Sequence, residues 1–333
     1  MKKLLILTLT FAVVCLSLFG LVACNGASDD VIRLNEVTHS VFYAPLYVAI
    51  NEGYFDEYGI KIELTNGGGA DKSMTAVLSN QADVALLGPE SAVYINLQGS
   101  DNYPVVFGQL TQRDGAFLIG RKPVNIFRWS DLAGSEIIGG RKGGMPAMSL
   151  EHALLKNGLK KGVDLTLNYD VQFDLITAAF EGGTGDYCTM FEPAASQYEQ
   201  AGKGYILAGV GEEAGDIPYT CFAATKKYLD GHREKLTDFM RAINKGIRFV
   251  LDSDPEKVAD ALQVSFPTTD RNLLIKSVQS YKKIDAYAAD PMMKEESFDR
   301  MLTILMEAGS IDKKVEFSDI IDNSIAKKVL SEG

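Results

Sequence analysis

Strand-like and helix-like patterns alternate along most of the chain, which predicts an α/β protein of two lobes, each a sheet served by crossover helices. Two further observations agree. At 333 residues the chain can build two domains, each with its own core. The alternation also restarts, with one βαβ series opening at Val31 and a second near Arg121.

Residues 31–37 alternate in polarity, as a strand with one buried face does. Residues 44–50 are apolar at helical spacing and close on Asn51-Glu52-Gly53. Residues 61–65 read as a strand that runs into the turn Asn66-Gly67-Gly68-Gly69. A helix from Asp71 to Ser79 and a buried strand over 82–87 follow. In the second series Ile137-Ile138 is a short strand, and 146–156 is a helix ended by Asn157-Gly158. Residues 165–167 and 187–190 supply further strands, and 219–224 make the return crossing. From Arg233 the chain reads as amphipathic helix, with Phe239, Ile243, Ile247 and Leu251 on one face. This tail is expected to pack back on the first lobe. The expected division is 31–115 with 224–333 in lobe 1, and 116–223 in lobe 2.

The N-terminus stands apart. Lys2 and Lys3 precede a long uncharged apolar run that ends in Ala23-Cys24, the layout of an export signal peptide over residues 1–23. Leu21-Val22-Ala23-Cys24 resembles the lipobox of bacterial lipoproteins. That resemblance implies lipidation of Cys24 and a mature protein anchored at the extracytoplasmic face of the cell membrane. An uncleaved membrane span is the alternative. Residues 24–30 are small and polar, suited to a tether.

Apolar residues make up 46% and charged residues 23%, the balance of a globular protein. The net charge is −11, and loss of Lys2 and Lys3 takes it to −13. A surface this acidic argues against nucleic-acid partners. Beyond Cys24 only Cys188 and Cys221 remain, read as two free thiols, although spacing leaves a bridge open. His39, His152 and His232 lie far apart with no paired ligands, so no metal and no cofactor is expected.

Three glycine-rich turns precede helices: 66–69, Gly88-Pro89-Glu90, and 139–144 before Pro146. Each lets backbone approach a ligand, and a helix start offers unpaired N–H groups. Each also serves simply as a tight βα turn. No Walker loop, dinucleotide fingerprint or nucleophile elbow accompanies them, so nucleotide chemistry and triad hydrolysis lack support.

Residues 41–49 (Val-Phe-Tyr-Ala-Pro-Leu-Tyr-Val-Ala), with Gly53-Tyr54-Phe55 and Gly59-Ile60, resemble the opening block of the NMT1/THI5-like solute-binding proteins. Ala82-Asp83-Val84-Ala85 with Gly88-Pro89 is similar to a second block. Asp131-Leu132-Ala133-Gly134 leading to Gly143 through Ser149 resembles a third, and Phe191-Glu192-Pro193 a fourth. The resemblance implies a type II periplasmic-binding fold: two lobes joined by two crossovers around a ligand cleft, hinging near 112–122 and 219–225. It implies a monomeric, non-enzymatic receptor that delivers a small molecule to the permease subunits of an ABC importer.

Members of this family take oxyanions (sulfonates, nitrate) or the pyrimidine precursor of thiamine. The candidate ligand-binding residues are His39, Phe42, Tyr43, Gly68, Gly88, Pro89, Glu90, Gly144, Met145, Tyr187, Glu192 and Tyr219. Aromatic faces suit a flat ring, and Glu90 or Glu192 would pair with its amine. Each acid also has a plain reading, as a charge at a helix N-terminus. Arg113 and Arg141 would favour an oxyanion, whereas Met145 and Met148 stand where hydroxyls would serve one. A heteroaromatic is the expected ligand and an oxyanion the alternative. The family name also covers an iron-associated pyrimidine synthase with a cysteine-rich segment. The matching stretch, 185–191, holds Cys188 alone, so that activity is not expected.

Overall fold

The computed structural model describes residues 30–332. The signal peptide, Cys24 and nearly all of the tether lie outside the described residues.

Ten strands form two five-stranded sheets among the described residues. In chain order they are β1 (Val31–Glu36), β2 (Lys61–Asn66), β3 (Val84–Leu87), β4 (Pro104–Thr111), β5 (Phe117–Gly120), β6 (Glu136–Ile138), β7 (Thr166–Asn168), β8 (Tyr187–Met190), β9 (Tyr205–Gly209) and β10 (Thr220–Thr225). The first sheet runs β2-β1-β3-β10-β4 and the second β7-β6-β8-β5-β9. β3 reads Val-Ala-Leu-Leu and is buried along its whole length, as expected of a strand covered on both faces.

Neither sheet is all-parallel. β1 pairs parallel with β3 (Leu34 opposite Val84), but β10 runs antiparallel to both β3 and β4. In the second sheet β6 lies parallel to β7 and β8, while β5 runs antiparallel to β8 and β9. The reason is the path of the chain. It leaves the first sheet at Thr111 and enters the second at Phe117, then leaves at Gly209 and returns at Thr220. Each entering strand lies between two strands that run in the opposite sense. Residues 219–224 are therefore mostly a strand of the first sheet, and the second crossing lies before Thr220. The boundary drawn at 223/224 falls inside β10.

The helix Arg233–Asp252 packs against Ala44–Asn51, its stripe of Leu236, Phe239, Met240, Ile243, Ile247 and Val250 buried. The approach is so close that a Cβ on Gly246 would sit 2.1 Å from the Pro45 carbonyl oxygen. Later helices do not stay with the first sheet. Arg271–Lys283 reaches the helix Ala194–Gln200, and Glu295–Glu307 reaches Met145–Lys156. The tail thus spans the two sheets. Lys276 pairs with Glu199 at 2.9 Å, and His152 Nδ1 lies 2.9 Å from Glu307 Oε2.

Candidate functional site: a cleft at the strand ends

The chain concentrates its glycine turns and helix starts at the carboxyl ends of β1, β3, β6 and β8. In open α/β sheets this is where ligands settle. A cavity of about 610 Å³, counting its open mouth, lies between the two sheets there. From the first sheet's side come Val37 and Thr38 after β1, Tyr43, the Gly69-Ala70 turn, and Gly88 with Glu90 after β3. From the second come Arg141 and the 144–146 helix start after β6, together with Phe173 and Phe191. Tyr219 and Thr220 close the wall where the second crossing re-enters the first sheet. The lining is mainly aromatic and aliphatic, with few polar groups, as a small-molecule site requires.

Glu90 is the buried acid of this wall, 2% exposed at the first position of the helix Glu90–Leu97. Its carboxyl folds back over Gly88, where a Cβ would lie 2.0 Å from Glu90 Oε2. Only glycine leaves that space. Burial pushes the Glu90 carboxyl up to about 7, opposed by the N–H groups of Glu90 and Met145 and by the charge of Arg141. Oε2 has no hydrogen-bond partner within the protein. Arg141, by contrast, is engaged: its guanidinium lies 3.0 Å from Asp71 Oδ2 across the mouth of the cleft. The Tyr94 hydroxyl donates to the Gly143 carbonyl at 2.9 Å, a second tie across the same gap.

Behind Tyr219 the two crossings meet at Asp114, which is wholly buried. Asp114 Oδ1 accepts from the Ala116 N–H at 2.7 Å, and Oδ2 faces no donor in good geometry. Burial pushes its carboxyl up to about 7, against the Ala116 N–H and the nearby Ser149 and Tyr219 hydroxyls.

The cleft brings together Tyr43, Gly88, Glu90, Gly144, Met145 and Tyr219 from the expected set. The other six are placed elsewhere. His39 stacks on Phe266 at 4.5 Å, its ring nitrogens 3.0 Å from Glu36 Oε1 and 2.9 Å from the Ser265 carbonyl. Phe42 lies behind the wall among Phe191, Tyr219 and Tyr281. Gly68 turns its N–H to Asn66 Oδ1, leaving Gly69 to face the cavity. Pro89 sits between two lining residues without lining it. Tyr187 is at the opposite end of β8 from Phe191, so strand direction removes it from the cleft.

Glu192 needs the largest correction. Its side chain points away from the cavity, with Oε1 accepting from Ser196 Oγ at 2.7 Å and Oε2 from Ser196 N–H at 2.9 Å. Its backbone N–H donates to the Tyr281 hydroxyl at 2.8 Å, and its carbonyl accepts from Ser40 Oγ at 2.8 Å. Glu192 joins elements and does not line the cavity. Arg113 is likewise tied at the crossing, to Asp216 at 2.6 Å and the Ile284 carbonyl at 3.0 Å. Sequence reasoning missed Val37, Thr38, Ala70 and Phe173. Phe173 sits in a short turn with no pattern to mark it, whereas Thr38, just past a strand end, had a positional signal.

Cys188 on β8 and Cys221 on β10 belong to different sheets, and both are free and buried. Among the described residues no three His, Cys, Asp or Glu side chains gather as a metal site.

The fold and site define a two-lobed binding protein of the periplasmic type. Residues 41–257 match the NMT1/THI5-like family model, and the chain belongs to that family. It is 39% identical over 95% of both chains to the Bacillus subtilis protein named "Putative binding protein YtlA". It is 24% identical, again over 95% of both, to the "Putative aliphatic sulfonates-binding protein" of the same organism. Among solved structures, the zinc-bound ligand-binding component of an ABC-type import system from Staphylococcus aureus superposes with a TM-score of 0.74 at 18% identity. That match covers 90% of this chain and 99% of the other.

Proposed function

We propose that this chain is the substrate-binding component of an ABC importer, and that it captures a small flat heteroaromatic molecule bearing an amino group, with a thiamine-precursor pyrimidine as the type. One observation carries the ligand class. The cavity offers the rings of Tyr43, Phe173, Phe191 and Tyr219, and among them one buried acid, Glu90, whose Oε2 is unpartnered. Rings stack on rings, and an amine or ring N–H would satisfy the waiting oxygen. Arg141, already paired with Asp71, is poorly placed to hold an anion.

The role needs no covalent step. Lobes 31–115 with 224–333 and 116–223, the boundary moved to the start of β10, would hinge at residues 112–116 and 210–219. Ligand would favour the closed form by its greater affinity for it. Lipidation of Cys24 would keep the monomeric receptor beside its permease. The start of the helix Met145–Lys156 and the name of the sulfonate-binding relative support an oxyanion as the second reading.

A thermal-shift panel on residues 25–333 separates the two, using aminopyrimidines, thiamine, nucleobases, alkanesulfonates, taurine and nitrate. A ligand at a hundredfold excess over its Kd adds about 2.7 kcal/mol. Stabilisation by aminopyrimidines is expected; stabilisation by sulfonates or nitrate alone refutes the heteroaromatic reading.

A further inference from the structure

Glu90 belongs to the first sheet's half of the cleft, but its carboxyl is directed at the second half. The Met145 N–H that acts on it opens the 12-residue helix Met145–Lys156. A helix start with free N–H groups is where an oxyanion would settle. Here the chain's own carboxyl stands in that place, buried, with Gly88 cleared to admit it. The nearest cation, Arg141, is drawn off by Asp71. Two anions cannot share one dry helix start without a counter-charge.

We propose that Glu90 is the specificity-determining residue of the cleft: its carboxyl occupies the anion position at the start of the Met145 helix, excludes oxyanions, and reserves the site for ligands that donate a hydrogen bond. The inference rests on the cleft being the binding site, not on the cargo being a pyrimidine. It yields a receptor whose selectivity is set by one internal charge. The groups that face this carboxyl are Arg141 and the hydroxyls of Tyr43, Tyr94 and Tyr219, with the Cys221 thiol behind. Burial keeps the tyrosines and the thiol neutral well above physiological pH, so Arg141 is the one charge among them. The raised Glu90 pKa adds a second handle, because acid removes the excluding charge while leaving a sulfonate ionised.

The test is calorimetric titration of residues 25–333 with ethanesulfonate, nitrate and 4-aminopyrimidine, in wild type, Glu90→Gln and Glu90→Ala. At about pH 8 the wild type should refuse both anions, and each variant should gain at least about tenfold in affinity for one of them. Both variants should lose at least about tenfold for 4-aminopyrimidine. Lowering the wild type to about pH 5.5 should raise its anion affinity, with no such change in Glu90→Gln. Glu90→Gln keeps the shape of the side chain and guards against loss of fold in Glu90→Ala. Wild type binding an anion at about pH 8 as tightly as the variants do overturns the proposal. So does the failure of both variants, melting like wild type, to take either anion. If 4-aminopyrimidine binds no form, the heteroaromatic reading falls, and the anion titrations alone decide the role of Glu90.

Discussion

Replacing Glu192 separates a structural acid from a ligand-binding one. The carboxylate is 1% exposed and accepts two hydrogen bonds from Ser196, at 2.7 and 2.9 Å, so it fastens the first turn of the helix Ala194–Gln200. Hydrogen bonds to a charged group contribute about 1.5–3 kcal/mol each, and a helix cap about 1 kcal/mol. In Glu192→Ala the Ser196 hydroxyl can rotate to another acceptor, but its N–H cannot, so a net loss of about 3 kcal/mol is expected. For a chain of 333 residues, at about 2.1 cal/mol/K of unfolding entropy per residue, that lowers Tm by about 4–5 °C. Glu192→Gln keeps the volume and one acceptor oxygen, and should lose about half as much. Differential scanning calorimetry reads the stability, and titration with the best ligand from the panel reads the site. A variant that melts within about 1 °C of wild type yet no longer binds would refute the assignment.

Gly246→Ala sets a helix-propensity gain of about 1 kcal/mol against a Cβ 2.1 Å from the backbone oxygen of Pro45, which cannot turn aside. A net loss of about 2 kcal/mol should lower the urea midpoint, and an unchanged or higher midpoint would sink this account. His39 has an acceptor on each ring nitrogen, and its bond to Glu36, with that to Ser265, holds its pKa above 6.5. Its charge therefore stabilises fully below the unfolded-state value and ceases to as pH rises through the raised folded value. The stability gap between wild type and His39→Asn should shrink as pH rises above 6.5; a constant gap tells against the protonated pair. The thiols of Cys188 and Cys221 are buried, which pushes both well above an ordinary cysteine. Disulfide-exchange labelling of residues 25–333 at about pH 8 should be negligible until denaturant is added, and rapid labelling of either would contradict the packing.

The elements written into local pattern were the ones sequence could supply. The strands at Val31, Lys61 and Val84 and the helices at Ala44, Ala70 and Met145 begin within about two residues of where periodicity and turn residues put them. All three glycine turns place a residue in the cleft lining, Gly69, Gly88 and Gly144, because a βα turn is local chemistry. Strand direction was less legible. β10 reads as a strand in any sheet, and only the path of the chain makes it antiparallel and assigns it to the first one.

The roles of like residues were settled at long range. Glu90 and Glu192 look equivalent in sequence, each an acid beside a proline near a helix start. Sequence determined that both would sit at strand ends. It could not say which acid faces the cavity, because that depends on the partners each carboxyl meets once the chain is folded. Ser196 turns the Glu192 carboxylate away, and the distant Tyr281 and Ser40 pin its backbone. Glu90 meets Met145, 55 residues on, across the gap between two sheets. A side chain's charge is local, but what that charge confronts is decided by tertiary packing.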